Sequence, residues 1–342
     1  MRLKLTLINL ILMIFFSSIS YGGENILFVE TDPGIDMDDS WVLNLLSKQD
    51  KFKEIYIVPN MAATEDQANQ FQLIDDLISE IRLSNSEIKF EILRSIEDEV
   101  CHYAHPQYIK TSSSFSKNQK KRFDNRVDLK TKIIELNLHT SGHEFSYLSI
   151  APPINLAYLT ENLKGIEKNL HLVAMLGQLP ETSRPEHNAK TSPKATNLIL
   201  KNSYKSSHLI PINTAKVFHM NGSLYQELLR IPSFSSGSLM KQYLNWYQRF
   251  PYLKSFYADL NPYESSSCLF DVVALYFLLN PDSDIFHWLN TRFSANELGL
   301  IKEDSKYPPH YWHTAWNLEE EEVVSILSEW VFSSFFSQQY RD

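Results

Sequence analysis

Short runs of consecutive apolar residues alternate along this chain with segments whose apolar positions recur every three to four residues. The runs are Ile26–Val29, Ile55–Val58, Phe90–Leu93, Tyr147–Ile150, Leu170–Leu176 and Leu209–Ile212. Between them lie the amphipathic segments Trp41–Leu46, Asp66–Ile81, Ile154–Leu163 and Pro193–Leu200. Unbroken apolar runs of this length suit strands buried on both faces. Strand, helix, strand at this rhythm predicts an α/β fold with an open, mostly parallel, Rossmann-like sheet flanked by helices. Such a sheet binds ligands at the carboxyl ends of its strands. The stretch Ser95–Leu136, with Ser112–Ser114 and a basic cluster over Lys117–Arg122, breaks the rhythm and reads as a divergent insertion or lid. After Asn221 the pattern becomes mainly helical and aromatic. Neither an internal repeat nor a Gly-Ser linker divides the chain, so one domain is expected over residues 21–342.

Met1–Ser20 stands apart from that domain. Arg2 and Lys4 precede the mostly apolar run Leu5–Phe16, and Ser18-Ile19-Ser20 offers a small-x-small cleavage site, so residues 1–20 read as a signal peptide. An uncleaved anchor is the alternative. The run is short for a membrane span, which takes about 20 apolar residues. Cleavage would export a 322-residue protein to the periplasm or medium and shift the formal net charge from −9 to −11. A chain this acidic lacks the basic surface that binding to nucleic acid polymers requires; small ligands or a metal ion suit it better. Cys101 and Cys268 can pair in an exported protein or remain two buried thiols, and their spacing excludes a Cys-x-x-Cys zinc site.

The densest chemistry follows the first apolar run, in Glu30-Thr31-Asp32-Pro33-Gly34-Ile35-Asp36-Met37-Asp38-Asp39. Pro33-Gly34 turns the chain, and four aspartates fall within eight residues before a helix begins. Like charges this close repel unless a cation or hydrogen-bond donors hold them. A hard cation such as Ca²⁺ matches an all-oxygen set. The other reading is a solvated acidic turn in which Asp38 or Asp39 caps the helix.

This segment resembles the amino-terminal signature of the inosine-uridine preferring nucleoside hydrolases, in a D-x-G-x-D-x-D-D variant, with Glu30 where many members have a first Asp. Further segments resemble that family in its own order. Val58-Pro59-Asn60, with Asn69 nine residues on, resembles V-G-N and its following helix. Ala151-Pro152-Pro153-Ile154-Asn155-Leu156-Ala157 is similar to G-P-L-T-N-x-A, and Met175-Leu176-Gly177 to M-G-G. Glu186-His187-Asn188-Ala189-Lys190-Thr191-Ser192-Pro193 resembles E-F-N-x-x-x-D-P, and Phe270-Asp271-Val272-Val273-Ala274 resembles H-D-P-V-A. The resemblance covers roughly Ile26–Leu279. Singly, each of these residues also suits a turn, a loop or a helix cap.

The resemblance implies a nucleoside hydrolase-like fold and calcium-dependent hydrolysis of the N-glycosidic bond of ribonucleosides to free base and ribose. It places Ca²⁺ on Asp32, Asp39, Asp271 and the Ile154 carbonyl, and makes Asp32 the base that activates water. Asp36 or Asp38, Asn60, Glu186 and Asn188 would hold the ribose, with Phe270 against the base. It also implies self-association into a homo-oligomer. A carboxylate base agrees with the chemistry, since Ca²⁺ acidifies water less than zinc does.

Two departures bear on the leaving group. Phe270 replaces the family's His before the last Asp, and phenylalanine stacks on a base without protonating it. The family's loop histidine has no match within Ser95–Leu136; His102, His105, His310 and His313 are candidates to reach the base from loops, or simply surface or core residues. These departures keep an alternative open: a non-catalytic calcium- and ribose-binding protein of the same fold. A phosphatase using an Asp nucleophile two residues before a second Asp fails, because Glu30 stands there.

Overall fold

A computed structural model describes residues 25–34, 36–60, 67–84, 87–95, 125–139, 142–179, 184–235, 237–249, 260–285, 287–304, 312–316 and 320–336. The proposed signal peptide, Cys101, His102, His105 and His310 lie outside them, as does the side chain of Asn69.

Six parallel strands form the heart of the sheet: β1 (Ile26–Thr31), β2 (Glu54–Pro59), β3 (Lys89–Ile92), β4 (Phe145–Ser149), β5 (Leu170–Met175) and β6 (Ser206–Ile210). Each coincides with one of the apolar runs, shifted by at most three residues at an end. β1, β2, β4 and β5 are buried at almost every position because helices cover both faces. Their spatial order is β3-β2-β1-β4-β5-β6. The order reverses between β1 and β4, which opens a crevice beyond the carboxyl ends of those two strands.

Among the described residues the carboxyl-terminal part is mainly helical, as its pattern predicts, but strands that the pattern does not show are added to it. It contributes β7 (His287–Thr291), β8 (Phe293–Ala295), β9 (Ile301–Glu303) and β10 (Trp312–Trp316). β10 lies parallel beside β6, β7 closes that edge antiparallel, and β8 and β9 form a separate two-stranded ribbon.

Two apolar cores sit on opposite faces of the sheet. One packs α1 (Asp38–Leu46), α2 (Gln67–Ser84), α8 (Gly222–Arg230), α10 (Ser238–Arg249), α11 (Phe270–Leu279) and α12 (Glu320–Phe336). Trp41 of α1 is fully buried there, its ring 5.4 Å from that of Phe234 and 6.1 Å from that of Phe335. The other holds α3 (Leu129–Glu135), α4 (Ile154–Asn162), α5 (His187–Thr191) and α6 (Pro193–Lys201). Of the stretch read as an insertion, residues 96–124 lie outside the described set. Its end, α3, inserts Leu129 and Ile133 into this second core. Short helices α7 (Ile212–Ala215) and α9 (Pro232–Ser235) complete the connections. Among the described residues no helix is long and apolar enough to cross a membrane.

Candidate functional site

The chain leaves β1 through Asp32-Pro33-Gly34. Gly34 has φ 107°, a conformation that only glycine adopts without strain, and the turn carries the chain directly into α1. Asp38 and Asp39 therefore occupy the first turn of α1, and Asp271 the first turn of α11, which packs against α1. The amino terminus of a helix is the end that favours negative charge.

Oxygens of Asp38, Asp39 and Asp271 all lie within 4.8 Å of one another, and all three residues are buried. The Asp271 amide donates to Asp38 Oδ2 at 3.2 Å. Asp39 Oδ1 accepts from Thr31 Oγ1 at 2.5 Å and from the Asp32 amide at 3.1 Å. Asp32 is buried beside them. Burial pushes the Asp32 carboxyl up, and repulsion from Asp39, Asp38, Glu186 and Glu30 adds to it. Burial likewise raises Asp38 and Asp271, each reinforced by its carboxylate neighbours. Asp39 is pushed up to about 7, chiefly by burial.

This donor set, buried carboxylates crowded at two helix ends with no cationic side chain bonded to them among the described residues, fits a hard divalent cation. The clustered oxygens are those of Asp38, Asp39 and Asp271, with Asp32 alongside. Between the two candidates for the ribose-facing aspartate, Asp38 is the one inside the cluster. Asp36 is half-buried and accepts from the neighbouring Met37 amide at 2.7 Å.

Beneath this cluster sits a residue that sequence reasoning treated only as a departure. Glu30 is fully buried and accepts from three different elements. Its Oε1 receives Asn60 Nδ2 at 3.1 Å, the Asn155 amide at 2.8 Å and Asn155 Nδ2 at 2.9 Å. Its Oε2 receives the Tyr147 hydroxyl at 2.9 Å and the Leu156 amide at 3.3 Å. Burial nevertheless pushes its carboxyl up to about 7. The available signal was a lone carboxylate inside the apolar run Ile-Leu-Phe-Val-Glu, a position that demands partners.

Asn60, at the end of β2, is buried and also donates to the Pro152 carbonyl. Its NH2 group thus points into the protein. Ile154 begins α4 beside Asn155, with its side chain in the second core. Glu186 is the N-cap of α5. Its carboxylate accepts from the amides of Gly177 at 2.9 Å, Asn188 at 2.6 Å and Ala189 at 3.1 Å. Asn188 donates to the Met175 carbonyl at 3.2 Å. The carboxyl end of β5 is therefore fastened to α5 by these two side chains. Phe270 is half-buried at the first position of α11, against the first core.

Among the histidines proposed to reach a base, His313 lies on strand β10 rather than on a loop. Its ring is 5.2 Å from that of His208. Cys268 is a free thiol whose Sγ donates to the Lys216 carbonyl at 3.3 Å.

No protein-family profile and no curated relative matches the sequence. Solved structures do match in fold. The inosine-guanosine nucleoside hydrolase is similar at TM-score 0.61 and 14% identity, over 90% of this chain and 98% of that one. The inosine-uridine preferring nucleoside hydrolase from Bacillus anthracis is similar at TM-score 0.56 and 16% identity, over 90% and 99%. The type III effector XopQ, solved with adenosine diphosphate ribose, is similar at TM-score 0.57 and 11% identity, over 91% and 94%. The architecture is that of the nucleoside hydrolases, a fold that the effector shares.

Proposed function

We propose that this protein is an exported, calcium-dependent N-ribohydrolase that splits ribonucleosides into free base and ribose. The observation that carries this reading is the buried cluster of Asp38, Asp39 and Asp271, with Asp32 beside it, at the crevice of a nucleoside hydrolase fold.

Each residue's part follows from its chemistry. Asp38, Asp39 and Asp271 hold the cation, joined by Asp32 and the Ile154 carbonyl. When bound there, Ca²⁺ would supply a positive centre that polarises water and helps orient the sugar. Asp32 accepts the proton of the attacking water as its oxygen bonds to the anomeric carbon, and the bond to the base nitrogen breaks with its electron pair going to the base, which takes up a proton from solvent. The transition state carries positive charge on the sugar ring, which the ring of carboxylates stabilises. Asp36 and Asp38 on one side, and Asn60, Glu186 and Asn188 on the other, flank the sugar. Phe270 stacks on the base. Export rests on the pattern of residues 1–20.

A second reading keeps the ligands without the chemistry: a calcium- and ribose-binding protein. Phe270 in place of an imidazole favours it. The test is incubation of the purified chain with purine and pyrimidine nucleosides, with and without a chelator, measuring free base. Chelator-sensitive release supports the hydrolase. Ribose and calcium binding without release supports the second reading.

A further inference from the structure

At the amino ends of β4, β5 and β6, the far side of the sheet from the acidic cluster, Ser146, His171 and Ser206 are register partners. Neighbours in one row of a parallel sheet direct their side chains to the same face. His171 is 8% exposed, and both of its ring nitrogens are engaged. Nδ1 is 2.8 Å from Ser206 Oγ, and Nε2 is 2.7 Å from Glu144 Oε2. The Glu144 carboxylate is paired with Lys205 Nζ at 2.9 Å, and the bonds from Lys205 and His171 hold its carboxyl below the usual range.

An ionised Glu144 fixes the tautomer of His171. Nε2 carries the hydrogen and donates to the carboxylate, which leaves the Nδ1 lone pair to accept the hydroxyl hydrogen of Ser206. A nucleophile bonded to a base, and that base oriented by a carboxylate, is the arrangement that activates serine in acyl transfer, recognised by geometry rather than by chain order. These groups also border a cavity. Ser146, His171, Ser206, His208, Lys51 and Phe277 line a pocket open to solvent.

We propose that Ser206, His171 and Glu144 form a second reactive centre, which transfers acyl groups from activated esters to water. Ser206 Oγ bonds to the ester carbonyl carbon while its proton passes to His171 Nδ1. The ester C–O bond then breaks, and the leaving alkoxide takes that proton. Water, deprotonated by His171, next attacks the acyl-serine and releases the carboxylic acid, regenerating Ser206. Water is the only co-reactant. Nothing in this chemistry draws on the acidic cluster, so the proposal stands whether or not the chain hydrolyses nucleosides.

The experiment uses the purified full chain, p-nitrophenyl acetate and a fluorophosphonate probe, with peptide mass spectrometry to locate adducts. The expected result is one adduct on the peptide carrying Ser206, with p-nitrophenol released in a burst. Ser206→Ala removes the adduct. Glu144→Gln, a change at a partly exposed loop position, and His171→Gln each slow labelling at least about tenfold, the scale of losing an oriented general base. A calcium chelator leaves the labelling rate unchanged. Thermal unfolding of each variant shows whether it folds, and Glu144→Gln keeps the test open if His171→Gln does not. Absence of an adduct on Ser206, or equal labelling of the wild type and a folded Glu144→Gln variant, overturns the proposal.

Discussion

Calcium binding should expel protons, and the number can be worked out from the site. A carboxyl raised to about 7, as for Asp39, is about three-quarters protonated at pH 6.5 and about one-hundredth protonated at pH 9. A cation takes only the ionised form, so Asp39 alone releases about 0.75 proton per ion at pH 6.5. Asp32, Asp38 and Asp271, raised by the same burial and mutual repulsion, add to it. One proton or more is therefore expected near pH 6.5, decreasing as the pH rises. Titration calorimetry in two buffers of different ionisation enthalpy reads this directly, as the difference in observed heat divided by the difference in buffer enthalpy. The apparent Kd should tighten about tenfold per pH unit or more below pH 7, the slope set by one or more competing protons. The metal-free stability has the opposite sign. Carboxyls whose folded pKa exceeds the unfolded value stabilise the fold at low pH, and that contribution is lost as pH rises through about 7 for Asp39. Calcium should flatten that decline. Equal heats in both buffers at pH 6.5, or proton release unchanged between pH 6.5 and 9, would refute the reasoning.

Three further outcomes are expected. Asp32→Asn should abolish base release in the nucleoside assay while leaving the thermal transition within a few degrees of wild type; full turnover in a folded variant removes Asp32 from its role. Gly177→Ala should cost about 1–2 kcal/mol in denaturant unfolding, because φ is 81° and a Cβ there would lie 2.4 Å from Ile301 Cδ1; an unchanged midpoint sinks that argument. His208 is held down to about 3 by burial among Phe277, Trp288 and His313. A histidine depressed in the fold stabilises above its unfolded value of 6.5 and loses that contribution as pH falls toward 3, about 5 kcal/mol in all. His208→Phe should therefore shift acid unfolding, followed by circular dichroism, to lower pH; an identical or higher midpoint contradicts it.

Where sequence and structure agree, burial explains the agreement. Strands β1 to β6 are covered on both faces, so they read as unbroken apolar runs, and the crevice at their carboxyl ends follows from parallel connection alone. β7 and β10 were illegible for the converse reason. His-Trp-Leu-Asn-Thr of β7 lies at an edge with its side chains largely outward, and Trp-His-Thr-Ala-Trp of β10 mixes polar with aromatic positions. Neither shows a period that separates it from the helical stretches around it. The acidic segment was legible because four aspartates in eight residues have few structural uses. The choice between Asp36 and Asp38 was not, because it depends on where the turn hands over to α1. Glu30 was underrated for a related reason: its five donors come from Asn60, Tyr147, Asn155 and Leu156, which no local pattern joins to it.

That single carboxylate has a consequence for how this molecule can change over time. By gripping the end of β2, the body of β4 and the first turn of α4 at once, Glu30 makes the floor of the crevice behave as one piece, so that shifting any of its three elements disturbs the other two. Phe270 sits outside that knot. Selection can exchange what surrounds the floor, and with it the molecules admitted, without having to re-solve the problem of holding several buried negative charges in register.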